Sequence, residues 1–179
     1  TITIHLLLAL VIIGLIIYSA IQAYYAIAGN FENKSSYHPH TKSVIIGILV
    51  CIFIEIIIGT EIRGGLDMSR KENPLIEGVI LLKMLGPFKY MHTILGFTLL
   101  GLTIYLWKIV NDIKFISSSF MVNSVNFIMG LIITQIILGE ALVFLEVKPL
   151  MQLFHMWFSS LLVGLSVASF TFYKISMEK

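Results

Sequence analysis

Two histidines, His92 and His155, stand at matched places in a strongly apolar chain, five residues after Pro87 and six after Pro149. At 1.5 Å of rise per residue, each imidazole sits roughly 7–9 Å inside the start of its helix. Imidazoles at equal depth on facing helices grip a metal centre from both sides, and histidine is a normal axial ligand of haem iron. Gly96 and Gly101 follow the first histidine, while Ser159, Ser160 and Gly164 follow the second. Small residues there leave room for a flat macrocycle. The spacing predicts one haem held between His92 and His155. The alternative, a hydrogen-bonded interfacial role, explains either histidine alone better than it explains the matched pair.

Two acids lie inside apolar runs, Glu55 and Glu140. Ionisable groups at membrane depth are costly and face a bundle interior or a wet cavity. Glu55 is the deeper, and reads as a proton relay or as the hydrogen-bond partner of a histidine or haem substituent. Arg63 closes the second apolar stretch, where its guanidinium fork suits a haem propionate. His5 would need a partner chain to ligate anything. His38-Pro39-His40 has only two imidazoles and reads as a solvated connector. Cys51 is the sole cysteine, so thiolates build no disulfide, zinc site or iron–sulfur cluster within the chain.

These residues need elements to hold them, and composition says which. The chain has 179 residues, 58% hydrophobic and 12% charged, whereas soluble domains carry about twice that charge. Five stretches approach the roughly 20 residues that cross a bilayer: about Ile4 to Ala28, Val44 to Ile62, Met91 to Val110, Val125 to Leu145 and Leu150 to Tyr173. The first lacks a basic leader and exceeds a signal peptide's apolar core, so it reads as a membrane helix. Little chain remains, and a separate soluble domain is excluded. The expected fold is all-α and integral to the membrane, with five transmembrane helices.

Gly29-Asn30 is expected to stop the first helix, and Arg63-Gly64-Gly65 the second. A long loop from 66 to 89 follows, with Pro74 to Gly86 forming a short amphipathic helix in the membrane interface. Its apolar residues are Leu75, Ile76, Val79, Ile80 and Leu82, interrupted by Glu77 and Lys83. Pro149 falls at or near the first position of the last helix, and the tight turn before it makes the last two helices antiparallel neighbours. The chain also repeats itself: Glu55-Ile56-Ile57-Ile58-Gly59 is echoed by Gln135-Ile136-Ile137-Leu138-Gly139. Each copy precedes a proline and then a histidine. Residues 44–175 thus read as a pseudo-two-fold four-helix haem-binding bundle, and residues 1–30 as an extra N-terminal helix.

Net charge is only +2 and no basic run suits nucleic acid, so the lipid bilayer is the expected partner. Lysines and arginines divide evenly between the two sides. The acids Glu61, Asp67, Glu72, Glu77 and Glu146 gather with the basic residues of one side, which favours placing the N-terminus and both histidines outside.

Three stretches resemble the haem A synthase family. Ile58-Gly59-Thr60-Glu61-Ile62-Arg63-Gly64-Gly65-Leu66-Asp67 is similar to the family's Leu-Gly-x-x-(Val/Thr)-Arg-x-x-x-Gly-Leu pattern. His92-Thr93-Ile94-Leu95-Gly96-Phe97 resembles its His-Arg-x-x-(Ala/Gly)-(Tyr/Phe) segment. Gln135 to Gly139, then Pro149 and His155, resemble its Gln-x-x-Leu-Gly helix and ligand-bearing final helix. The likeness covers about residues 50 to 175, one four-helix half of a two-half protein, and implies His92 and His155 as the ligand pair. The first helix resembles the last helix of a preceding half. The family's glutamate three residues before the first histidine is Lys89 here, its arginine after that histidine is Thr93, and its glutamine on the second helix is Glu55. The resemblance implies an oxidoreductase linked to haem A supply, with Glu55 or Glu61 as proton handler, acting by self-association. The departures favour instead a non-catalytic haem-carrying subunit of a terminal oxidase complex in a prokaryotic plasma membrane.

Overall fold

The computed structural model describes residues 2–28, 36–76, 78–112, 114–145 and 147–177. Six helices follow in order: α1 Ile2–Ala28, α2 Thr41–Glu72, α3 Gly78–Met84, α4 Phe88–Val110, α5 Ser119–Phe144 and α6 Pro149–Met177. No strand occurs among the described residues. All but α3 are long and apolar enough to cross a membrane. The five apolar stretches therefore correspond to five membrane-length helices, as composition required.

α2 packs on α4, α4 on α5, α5 on α6 and α6 on α2, while α1 lies against α6 and more lightly against α2. Between helices in lipid, close packing and interhelical hydrogen bonds do most of the work, because lipid tails are as apolar as leucine. The tightest packing lies on one half of the molecule. Ile45, Ile48 and Ile52 on α2 interlock with Leu106 on α4, Met121, Val125 and Ile128 on α5 and Val163 on α6, all 2% exposed or less. Their spacing of three or four residues keeps each row on one face of its helix. Outward apolar residues such as Leu15 and Ile16, about 60% exposed, suit contact with lipid.

The polar end nearest this core is tied across the chain. Ser36 N donates to Ile116 O at 2.8 Å, and the Ser118 side chain caps α5 by accepting from Met121 N at 3.2 Å. Lys174 Nζ on α6 donates to Tyr18 OH on α1 at 2.9 Å.

Two expectations change. The glycine pair does not end α2, which runs on to Glu72. Helical glycines cost about 1 kcal/mol each, but here the helix gains on its other side. Leu66 is buried, and Leu85 fills the notch at Gly65, where a Cβ would stand 2.5 Å from Leu85 Cδ2. At 32 residues α2 spans about 48 Å, so its polar last turns project past any hydrocarbon core. The long loop shrinks accordingly, and the chain turns instead at Gly86, with φ of 67°, followed by Pro87.

Second, the short helix forms as α3 but with a different inward residue. Leu81 is fully buried against Leu66 and Val147, while Ile80 is half exposed and Leu75 almost wholly so. Glu77 and the side chain of Val79 lie outside the described residues, as do residues 29–35 with the expected stop at Gly29-Asn30.

Candidate functional site

Opposite the solid half of the molecule, the helices line an open-mouthed cavity of about 300 Å³, within the range of ligand pockets. α2, α4, α5 and α6 supply most of its wall, and Leu6 and Leu10 of α1 complete it. The α3 cluster borders one end, since Leu66, Leu82, Leu142 and Val147, which pack around Leu81, also line the cavity. The wall is mainly apolar with a few polar groups, and both histidines belong to it.

His92 comes one turn into α4 and His155 two turns into α6, since Pro87 and Pro149 start these helices. Their rings face one another with centres 6.2 Å apart and planes inclined by 62°. Imidazole nitrogens bind transition metals at about 2 Å, which puts two rings sharing one metal roughly 6 Å apart. The separation thus fits two imidazoles that share one metal. Nδ1 of each ring is buried without a hydrogen-bond partner. Glycines flank both rings: a Cβ at Gly59 would lie 3.4 Å from His92 Cε1, and one at Gly139 would lie 3.8 Å from His155 Cε1.

The remaining sequence candidates divide. Glu55, 12% exposed at its side chain, reaches across from α2 to contact His92 Nδ1 as an ion-pair partner, without good hydrogen-bond alignment. Its Oε1 sits over Gly96, where a Cβ would come within 3.5 Å. Arg63 lines the cavity mouth, 4.0 Å from Asp67 Oδ2, with Nη1 donating to Met156 Sδ at 2.6 Å. Glu140 lines the cavity from an exposed position. Glu61 lies outside it and accepts from Thr3 Oγ1 at 3.1 Å. His5 is exposed on α1. His38 and His40 pair with each other, His40 N donating to His38 Nδ1 at 3.2 Å. Among the described residues no group of three His, Cys, Asp or Glu side chains gathers to hold a metal ion.

Gln135 is the residue whose role the sequence left unread. Its Nε2 donates to His155 O and to Ser159 Oγ, both at 2.8 Å, and its Oε1 is buried without a partner. The repeat carried the signal. Glu55 and Gln135 each stand one turn before a glycine that faces a histidine, so each falls beside the residue one turn beyond that histidine, Gly96 or Ser159. Lys89 and Gln152 also line the cavity and were not assigned to it by spacing alone.

Fold and cavity together define a multi-pass helical membrane protein with a paired-histidine pocket. The chain matches the COX15-CtaA family, described as cytochrome oxidase assembly protein, over residues 1–167, and it belongs to that family. The match includes α1 as well as the motif-bearing helices. No curated protein and no solved structure matches the chain.

Proposed function

We propose that this protein holds one haem between His92 and His155 and serves the supply of haem A to an aerobic respiratory oxidase. The observation that carries the reading is the 6.2 Å separation of the two rings in the wall of one cavity. A glycine beside each ring, Gly59 and Gly139, leaves space that fits the same group. Haem, when bound, supplies an iron that exchanges single electrons. The chain's own residues do the rest. His92 and His155 would hold the group, Arg63 would offer its fork to a propionate, and the mainly apolar wall would cover its faces. Haem b fits first, with haem O and haem A as alternatives. Residues 44–175 act as a pseudo-two-fold four-helix bundle around it, with the histidine end and the N-terminus outside a prokaryotic plasma membrane.

A second reading has a specific observation behind it. Lys89 lines the cavity one turn before His92, at the place where the resembling family carries glutamate. That exchange removes a carboxylate from the reacting side and favours a non-catalytic haem-carrying subunit of an oxidase complex. In the catalytic reading, Glu55 is the better placed proton handler, since Glu61 lies outside the cavity.

The test is the visible spectrum of the purified protein, with pyridine haemochrome analysis for haem type. A low-spin spectrum lost in both His92→Ala and His155→Ala is expected. Haem retained unchanged in either variant ends the paired-histidine reading. Conversion of added haem O to haem A under oxygen selects the enzyme, and co-purification with an oxidase without conversion selects the subunit.

A further inference from the structure

We propose that Glu55 is the positioning residue that orients His92 toward the iron and makes the two axial positions unequal, an inference that rests on the haem reading above. Three contacts fix the arrangement. The Glu55 carboxylate meets His92 Nδ1, Gly59 faces Cε1 of the same ring, and Gly96 leaves space for Glu55 Oε1. The Nδ1 and Cε1 edge of His92 is therefore turned against α2. The nitrogen left for a metal is Nε2.

His155 is held differently. The residue in the place of Glu55 is Gln135, and its amide bonds the His155 backbone oxygen and Ser159 Oγ rather than the ring. Among the described residues Glu55 pairs with His92 Nδ1, and no carboxylate pairs with His155 Nδ1. One imidazole thus leans on a carboxylate and the other does not.

The partner of the distal nitrogen decides which nitrogen a metal takes. A carboxylate accepting the Nδ1 proton also makes Nε2 a stronger donor. A stronger donor next to a negative charge favours ferric over ferrous iron. Glu55 accordingly lowers the reduction potential of the bound haem, acting from the His92 side only.

The experiment is a spectroelectrochemical titration of the haem-loaded full chain in lipid nanodiscs at one pH, comparing wild type with Glu55→Gln and Glu55→Leu. Glu61→Gln removes an acid from the same helix outside the cavity and is the control. Both Glu55 variants are expected to keep the low-spin spectrum while ferrous iron gains at least tenfold over ferric. That shift is about 59 mV upward for one electron, with the control unmoved. A role in packing alone would lower haem content or melting temperature without moving the potential. A less than twofold change in both variants, with low-spin haem present, overturns the inference and leaves the haem reading standing. Absence of a low-spin spectrum in wild type overturns the haem reading, and this inference with it. Where leucine prevents folding, the isosteric glutamine variant decides.

Discussion

Gly59 on α2 faces the Cε1 edge of His92 on α4, and a Cβ there would come to 3.4 Å. Gly139 meets His155 in the same way at 3.8 Å. Both distances accept one carbon and neither accepts a branched side chain, whose further carbons reach about 1.5 Å beyond Cβ. Gly59→Ala and Gly139→Ala should therefore keep haem, while Gly59→Val and Gly139→Val should push the rings aside and lower haem occupancy about tenfold or more. Valine has a slightly better helix propensity than glycine, so haem-free valine variants should melt no lower than wild type. Haem-to-protein ratios and melting curves check this, and full occupancy in the valine variants contradicts it.

The helices were legible because membrane-length apolar runs have few alternatives. Pro149 marked the start of α6, and His92 and His155 were placed at corresponding depths by their distance from a proline. What escaped was whatever depends on contact between distant segments. Gly64-Gly65 looked like a stop because glycine is a poor helix former, yet the reason α2 continues is Leu85, twenty residues further on, filling the notch at Gly65. Leu81 could not be singled out within Leu81-Leu82 because only Leu66 and Val147 define the inward side of α3. Gln135 registered as part of a repeat, but its bonds to His155 O and Ser159 Oγ needed the register of α5 against α6.

Leu81 should be the residue on which the docking of α3 depends. It is fully buried in a small cluster separate from the main core. Truncating such a leucine costs about 2–5 kcal/mol, and the cost should fall on α3 rather than on the whole fold. Leu81→Ala is expected to speed limited proteolysis within residues 73–86 and to loosen haem, since the same cluster walls the cavity. Unchanged cleavage kinetics would show that Leu81 does not hold the element down.

Val147 inverts the usual order of substitution. Its φ is 58°, a region costly for a β-branched residue, yet its side chain is 3% exposed beside Leu81 and its N–H donates to Leu142 O at 2.8 Å. Val147→Ala loses about 1–2 kcal/mol of burial and keeps the strain. Val147→Gly loses those contacts and the Cβ as well, but relieves roughly 1 kcal/mol or more of backbone cost. Glycine should therefore be the milder change, and a melting series in which alanine is more stable than glycine contradicts the strain.

Arg63 should govern how tightly a carboxylate-bearing ligand is held at the cavity mouth. Its partner Asp67 is 4.0 Å away, and both side chains are about half exposed, so the pair is worth at most about 1 kcal/mol. Its other contact, Met156 Sδ, is a weak acceptor, so the guanidinium can turn toward a propionate at little cost. Arg63→Gln is expected to weaken haem binding about tenfold at low salt, and less at 0.5 M salt, where screening falls to a few ångströms. Asp67→Asn removes the competing acid and should leave affinity equal or higher. Haem titrations of the two variants at both salt concentrations read this directly. A loss of affinity in Asp67→Asn with none in Arg63→Gln would place the anion contact elsewhere, with Lys89 the next cation on the cavity wall.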